Sequence, residues 1–147
     1  MLLRLTKRFT FEMAHALPSY SGKCHNIHGH SYKLFVTVEG EPSLAEGSPN
    51  GMVIDFGQIK EIVQQHIVDH FDHALVLPKQ NTKGNISEHE LGGFAAHIIW
   101  VDFTPTTENL LLHFAHLLEH AFPAGTRLYS IKLYETETSC AELIFGI

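Results

Sequence analysis

Long apolar runs are missing from this sequence, so no segment has the length of hydrophobic chain that a membrane-spanning helix requires. Runs of basic residues are missing too. Lys and Arg total 10 against 16 Asp and Glu, for a formal charge of -6, and the cations stand singly or in pairs. A nucleic-acid binder concentrates its cations on one face, so neither a membrane nor a nucleic acid is expected as a partner. Cysteine is scarce: Cys24 and Cys140 lie far apart and offer no disulfide framework. The N-terminus shows no basic region followed by an apolar run and a small-residue cleavage site, and a reduced, cytoplasmic protein is the expectation. There is no internal repeat, low-complexity tract or linker. With 147 residues and 44% hydrophobic content, one domain over 1-147 is expected.

Histidine, by contrast, is plentiful, with 12 residues, and they are unevenly placed. "CHNIHGH", residues 24 to 30, puts a thiol and three imidazoles within seven positions. If the following segment is a strand, His28 and His30 share one face of it, and antiparallel pairing with the preceding strand can bring His15 opposite them. Three imidazoles with a fourth position open are the donor set of catalytic zinc. Cys24 leaves the reading open. As a fourth ligand it makes a closed structural site, whereas standing off the ion it becomes an activated base or nucleophile. Cys140 lies in the alternation "CAELIF" and is expected to be inert core. His66 and His70, and His116 and His120, are pairs four apart on helical segments. Neither pair has an evident third ligand, and both are read as solvent-facing or hydrogen-bonded.

Two further places carry chemistry. In "HFDHAL", Asp72 precedes His73 where a helix ends, and a carboxylate beside an imidazole can fix its tautomer for proton transfer. A pair of solvated helix-end residues is the alternative. In "LYETETS", Glu135 can accept two parallel hydrogen bonds from a guanidine-like heterocycle edge, with Glu137 as competitor and a strand-end surface acid as the alternative. Glu108 sits in the first turn of a helix, where its charge suits the dipole and where it can also face a site.

Alternation over residues 2-14 and 31-40 reads as two antiparallel strands joined by the Cys24 loop. Asp55 caps a helix over 56-71 with Ile59, Ile62, Val63, Ile67 and Phe71 inward, and Thr106 caps a second whose stripe is Leu110, Leu111, Phe114, Leu117 and Leu118. A polar stretch over 77-93 leads to a short helix at 87-97 and a strand-like "HIIWVDF". Two more strands close the chain. The result is an α+β arrangement: a four-stranded antiparallel sheet with two principal helices on one face, its other face and edges calling for an oligomer.

In that order, "FTFEMAHAL", Cys24, "NIHGH", "DFGQIK", "FDHAL", "PTTENL" and "YETETS" resemble the family of 6-pyruvoyl-tetrahydropterin and 6-carboxy-tetrahydropterin synthases over nearly the whole chain. The resemblance implies the tunnelling fold, with the sheets joined into a barrel in a homo-oligomer, a trimer or a dimer of trimers, and active sites at subunit interfaces. It implies Zn2+ held by His15, His28 and His30, catalysis by Cys24 with Asp72 and His73, and substrate contacts from Glu135 and Glu108. It implies a lyase acting on a pterin triphosphate, 7,8-dihydroneopterin triphosphate.

Three residues separate Cys24 from His28, as in the bacterial enzymes of the carboxy branch. That spacing favours 6-carboxy-5,6,7,8-tetrahydropterin synthase of the queuosine and deazaguanine route over the pyruvoyl branch; a non-catalytic zinc-stabilised assembly subunit is a further alternative. The chain departs from the compact bacterial pattern in its longer 78-103 region and in lacking Leu-Asn after His73. Lys7, Arg8, Lys23 and Lys33 are the cations available locally to a triphosphate.

Overall fold

The computed structural model describes residues 1-47, 51-79 and 88-146. Alternation does build the first two strands. β1 (Leu3–His15) and β2 (His28–Gly40) pair antiparallel along their whole length, from Leu3 opposite Gly40 to His15 opposite His28. The side-chain period of two then sorts β1 into Phe9, Phe11, Met13 and His15 on a buried face and Arg8, Thr10 and Glu12 on an exposed one. β5 (Thr126–Thr136) pairs with β2, and β6 (Ser139–Ile144) pairs with β5, both antiparallel. These are the four strands expected.

The sheet is wider than that expectation. β3 (Ala74–Pro78) adds parallel to β1, and β4 (Ile98–Val101) adds parallel to β3, giving the order β4-β3-β1-β2-β5-β6. All five residues of β3 are buried, so its sequence "ALVLP" shows no alternation by which to recognise a strand. Pro78 lies at its end, where the missing N–H interrupts the ladder least. Of the polar 77-93 stretch, residues 80-87 lie outside the described residues. Leu77 and Pro78 belong to β3, and from residue 88 the chain forms a helical turn, α3 (Glu88–Leu91), and a 3-10 turn at Gly92–Phe94.

Both principal helices cover one face of the sheet. α1 (Phe56–Val63) starts where Asp55 accepts a hydrogen bond from the Gly57 N–H at 2.6 Å, and α4 (Thr107–Leu118) starts where the Thr106 hydroxyl accepts from the Asn109 N–H at 3.2 Å. The first helix is not regular to residue 71. It passes through a π-helical segment, Gln64–Val68, where the Asp69 N–H donates to the Gln64 carbonyl, before a last turn, α2 (Asp69–Phe71).

The spacing of apolar residues explains the widening. Ile59, Val63, Ile67 and Phe71, all buried, are four apart each time. Strict four-residue spacing overruns a period of 3.6, so one enlarged turn keeps all four on the core. They pack with Leu110, Phe114 and Leu118 of α4 on Phe11, Leu34, Val36, Ile131 and Leu133 of the sheet. Each such side chain contributes about 1.5–3 kcal/mol by leaving water.

Cys140 is not core. β6 keeps its alternation, but Ala141 and Leu143 take the packed side, which leaves Cys140, Glu142 and Ile144 exposed. The face away from the helices is polar and half-covered: Glu39 is buried there by Arg4 at 2.8 Å and Arg127 at 2.6 Å, and Arg4 lies 3.5 Å over the Tyr129 ring. Among the described residues no helix is long and apolar enough to cross a membrane.

Candidate active site

The register that pairs β1 with β2 creates the site. His15 ends β1 directly opposite His28, and Met13 is opposite His30, so three imidazoles converge on the buried face at one end of the sheet. One ligand nitrogen from each lies within 4.8 Å of the other two. His15 is fully buried and the other two are half-buried.

The hydrogen bonds fix the tautomers. His15 Nδ1 is 2.7 Å from the Pro105 carbonyl, and His28 Nδ1 is 2.7 Å from the Asn26 carbonyl. A carbonyl only accepts, so each Nδ1 carries the proton and each neutral ring presents a bare lone pair at Nε2. Those two Nε2 atoms are 3.1 Å apart, close enough for both to serve one cation. His30 Nε2 is buried with no hydrogen-bond partner among the described residues, 3.6 Å from the Glu135 carboxylate. Three imidazole nitrogens, two of them on rings anchored to backbone carbonyls through Nδ1, are the donor chemistry of a divalent transition metal, and these residues fit one. Burial is the chief reason that the His15 and His30 imidazoles are held below the usual histidine range, which keeps both available as ligands near neutral pH.

Glu135 belongs to this cluster and Glu137 does not. The Glu135 carboxylate accepts from the Thr107 hydroxyl at 2.7 Å and faces His30, whereas Glu137 is exposed on the β5–β6 turn and ion-paired with Lys33. Two side chains take part that sequence patterns did not single out, Thr107 and Tyr32. Tyr32 follows His28 and His30 at the same two-residue spacing, which is the signal that could have found it. Its hydroxyl is buried with no hydrogen-bond partner among the described residues, and its pKa is raised, first by burial and then by the charges of Glu135 and Cys24. The phenol therefore stays protonated.

Cys24 sits half-buried in a 3-10 turn, Lys23–His25, that closes the loop between β1 and β2. The Leu17 N–H donates to the Cys24 carbonyl at 2.9 Å, and His25 Nδ1 is 2.9 Å from the Pro18 carbonyl. The sulfur is close enough to bear on Tyr32 but outside the cluster of ligand atoms formed by the three imidazoles. Glu108 is exposed in the first turn of α4, one residue from Thr107.

Asp72 and His73 form a second group. Asp72 Oδ1 accepts from the Glu12 N–H at 2.9 Å, the His73 N–H donates to the Glu12 carbonyl at 2.6 Å, and His73 Nδ1 is 3.0 Å from Asp72 Oδ2. His73 holds φ at 62°, and among the described residues no other non-glycine is left-handed. Strain of this kind persists where the surroundings impose it, here through the clamp on Glu12. A cavity of about 310 Å3, lined in part by Glu12, Ser31, His30 and His73, opens beside the pair. The imidazole is exposed, and its polar contact runs to Asp72, not to the three clustered histidines.

Comparison with known proteins fits this geometry. Residues 4–144 match the model of the 6-pyruvoyl tetrahydropterin synthase family. The chain belongs to that family. It is 35% identical over 141 residues to 6-carboxy-5,6,7,8-tetrahydropterin synthase of Haemophilus influenzae, covering 96% of this chain and 98% of that one. It is 29% identical over 148 residues to 6-pyruvoyl tetrahydrobiopterin synthase of Homo sapiens, covering 92% of this chain and 87% of the human one. The crystal structure of 6-pyruvoyl tetrahydropterin synthase from Plasmodium vivax superposes with a TM-score of 0.72 at 17% identity, over 100% of this chain and 99% of that one. The fold is the tunnelling fold of these synthases, and the activity is that of a pterin synthase.

Proposed function

We propose that this protein is a zinc-dependent 6-carboxy-5,6,7,8-tetrahydropterin synthase, a lyase that converts 7,8-dihydroneopterin triphosphate to 6-carboxy-tetrahydropterin, acetaldehyde and triphosphate. The observation that carries this reading is the convergence of ring nitrogens from His15, His28 and His30 beside the Glu135 carboxylate. The 35% identity to the carboxy synthase of Haemophilus influenzae, against 29% to the human pyruvoyl synthase, supports the branch.

In this reading His15, His28 and His30 hold Zn2+. Bound there, the ion supplies Lewis acidity, which lowers the pKa of oxygen groups near it. Glu135, oriented by Thr107, accepts the paired N–H groups of the aminopyrimidine edge in fork geometry, and Glu108 adds a second carboxylate at the rim. Cys24, free of the ligand cluster, removes a proton from the activated carbon as its thiolate. His73, with its tautomer set by Asp72, moves protons on the other side.

The exposure of the His73 imidazole, apart from the three clustered ones, supports a site completed by a second copy of the chain in a homotrimer or a dimer of trimers. Lys33 is already engaged by Glu137, while Lys23 is exposed next to Cys24, so Lys23 is the better placed of the two for the triphosphate.

The test is mass-spectrometric product analysis after zinc-loaded protein meets 7,8-dihydroneopterin triphosphate. 6-Carboxy-tetrahydropterin with acetaldehyde is expected. 6-Pyruvoyl-tetrahydropterin would keep the site and overturn the branch, and an inert protein would overturn the catalytic reading.

A further inference from the structure

Four of the histidines outside the site come together elsewhere. His66 and His70, four apart on the first helix, are joined by His113 of α4 and by His97, just before β4, around one cavity of about 520 Å3 with Phe71 and Ile99 among its other lining residues. Sequence spacing alone offers the helical pair no third ligand. The fold brings two.

The members differ in how firmly they are held. His66 Nδ1 is 2.8 Å from the Ile62 carbonyl, which makes Nδ1 the protonated nitrogen and leaves Nε2 with its lone pair free, the same device that prepares His15 and His28. The His113 ring is half-buried, with ring centroids 5.9 Å from Phe71 and 5.3 Å from Phe103. His70 and His97 are exposed and can turn. The π-helical segment also bears on the geometry. A turn closed by i→i+5 bonds takes more residues than an α-turn, so side chains four apart across it fall close to one above the other. Among the described residues no carboxylate lines the cavity, which disfavours a hard cation such as Mg2+ or Ca2+.

We propose that His66, His70, His97 and His113 form a second site for a late divalent transition metal of the kind imidazole prefers, Zn2+, Ni2+ or Cu2+. The ligand nitrogens are not gathered within 4.8 Å as those of His15, His28 and His30 are, so the two exposed rings close onto the two held ones when the ion arrives. The site is independent of the pterin-synthase reading.

Co2+, a spectroscopic stand-in for zinc, provides the probe. Full-length protein stripped by chelator and titrated with Co2+ is expected to take two equivalents per chain, with two sets of d–d bands. H70A/H97A, which changes only exposed side chains, is expected to keep one equivalent and unchanged pterin-synthase turnover, and H28A/H30A to keep the other equivalent. A single equivalent in the unaltered protein, or two in H70A/H97A, would overturn the second site. Neither result would touch the assignment of His15, His28 and His30.

Discussion

The end of β1 carries two polar groups that are built in opposite ways. His15, His28 and His30 are buried or half-buried; the outer nitrogens of His15 and His28 are spent on carbonyls, and their inner ones face each other without protons. Asp72 is half-buried and His73 exposed, and the two are clamped to Glu12 and to each other. The first group turns ring nitrogens toward a space where a cation can bind, whereas the second is already paired and its imidazole faces outward. The first can hold a metal ion, and in the proposed reaction the second moves protons.

The sharpest way to break this comparison is to remove one member of each. H28A or H30A is expected to lose the metal equivalent of the active site and, with it, about three orders of magnitude or more in turnover, since Lewis-acid stabilisation is worth several kcal/mol. H73A is expected to lower kcat by about 10²–10⁴ while metal content stays at the unaltered level, as for loss of a positioned acid or base. Metal analysis beside kinetics separates the two. An H73A protein with normal turnover and full metal would remove the pair from catalysis. H73G serves as a control, because glycine takes the left-handed backbone at residue 73 without strain.

A smaller effect comes from protons. His15 and His30 are held below the ordinary imidazole range, burial being the main cause. The unfolded chain therefore binds protons at higher pH than the folded one. Stability of the metal-free protein is full above the unfolded imidazole value and is lost as pH falls from there through the folded value. The slope is up to about 1.4 kcal/mol per pH unit for each histidine involved. Urea denaturation of chelator-treated protein at about pH 7.5 and about pH 5.5, either side of the ordinary imidazole value, is expected to show the lower stability at the acid value. Equal stability would mean that the clustered imidazoles ionise in place.

How much of this is legible in the sequence depends on local periodicity. β1 and β2 alternate cleanly, so the facing of His15 and His28 comes from strand pairing alone. Both helix starts are announced by Asp55 and Thr106, whose side chains accept the expected kind of backbone N–H. β3 stays hidden because a strand buried on both faces carries no alternation. Cys140 is misplaced because "CAELIF" sets the alternation of β6 but not its phase, and it is pairing with β5 that turns Ala141 and Leu143 inward. Glu135 and Glu137 have the same parity, so only the end of the strand at Thr136 separates them. The company of His97 and His113 with His66 and His70 is a tertiary fact, beyond any local pattern.

The smallest effect tests the inner edge of the first group. Tyr32 is fully buried, stacked on Phe11 with ring centroids 5.5 Å apart and edge-on to His30 at 5.6 Å, yet its hydroxyl has no hydrogen-bond partner among the described residues. A buried hydroxyl left unpaired costs about 1–3 kcal/mol, and phenylalanine keeps the ring while deleting that cost. Metal-free Y32F is therefore expected to be as stable as the unaltered protein or more stable by about 1 kcal/mol, since the ring packing is retained and only the unpaired oxygen goes. Its denaturation midpoint and slope in urea provide the measurement, and a loss of stability would mean that the hydroxyl is bonded in solution. If the gain appears in the metal-free protein and binding of the pterin substrate weakens in the metal-loaded one, the unpaired phenol is a donor kept for the ligand. The cost it imposes on the fold then belongs to function, as do the facing lone pairs of His15 and His28.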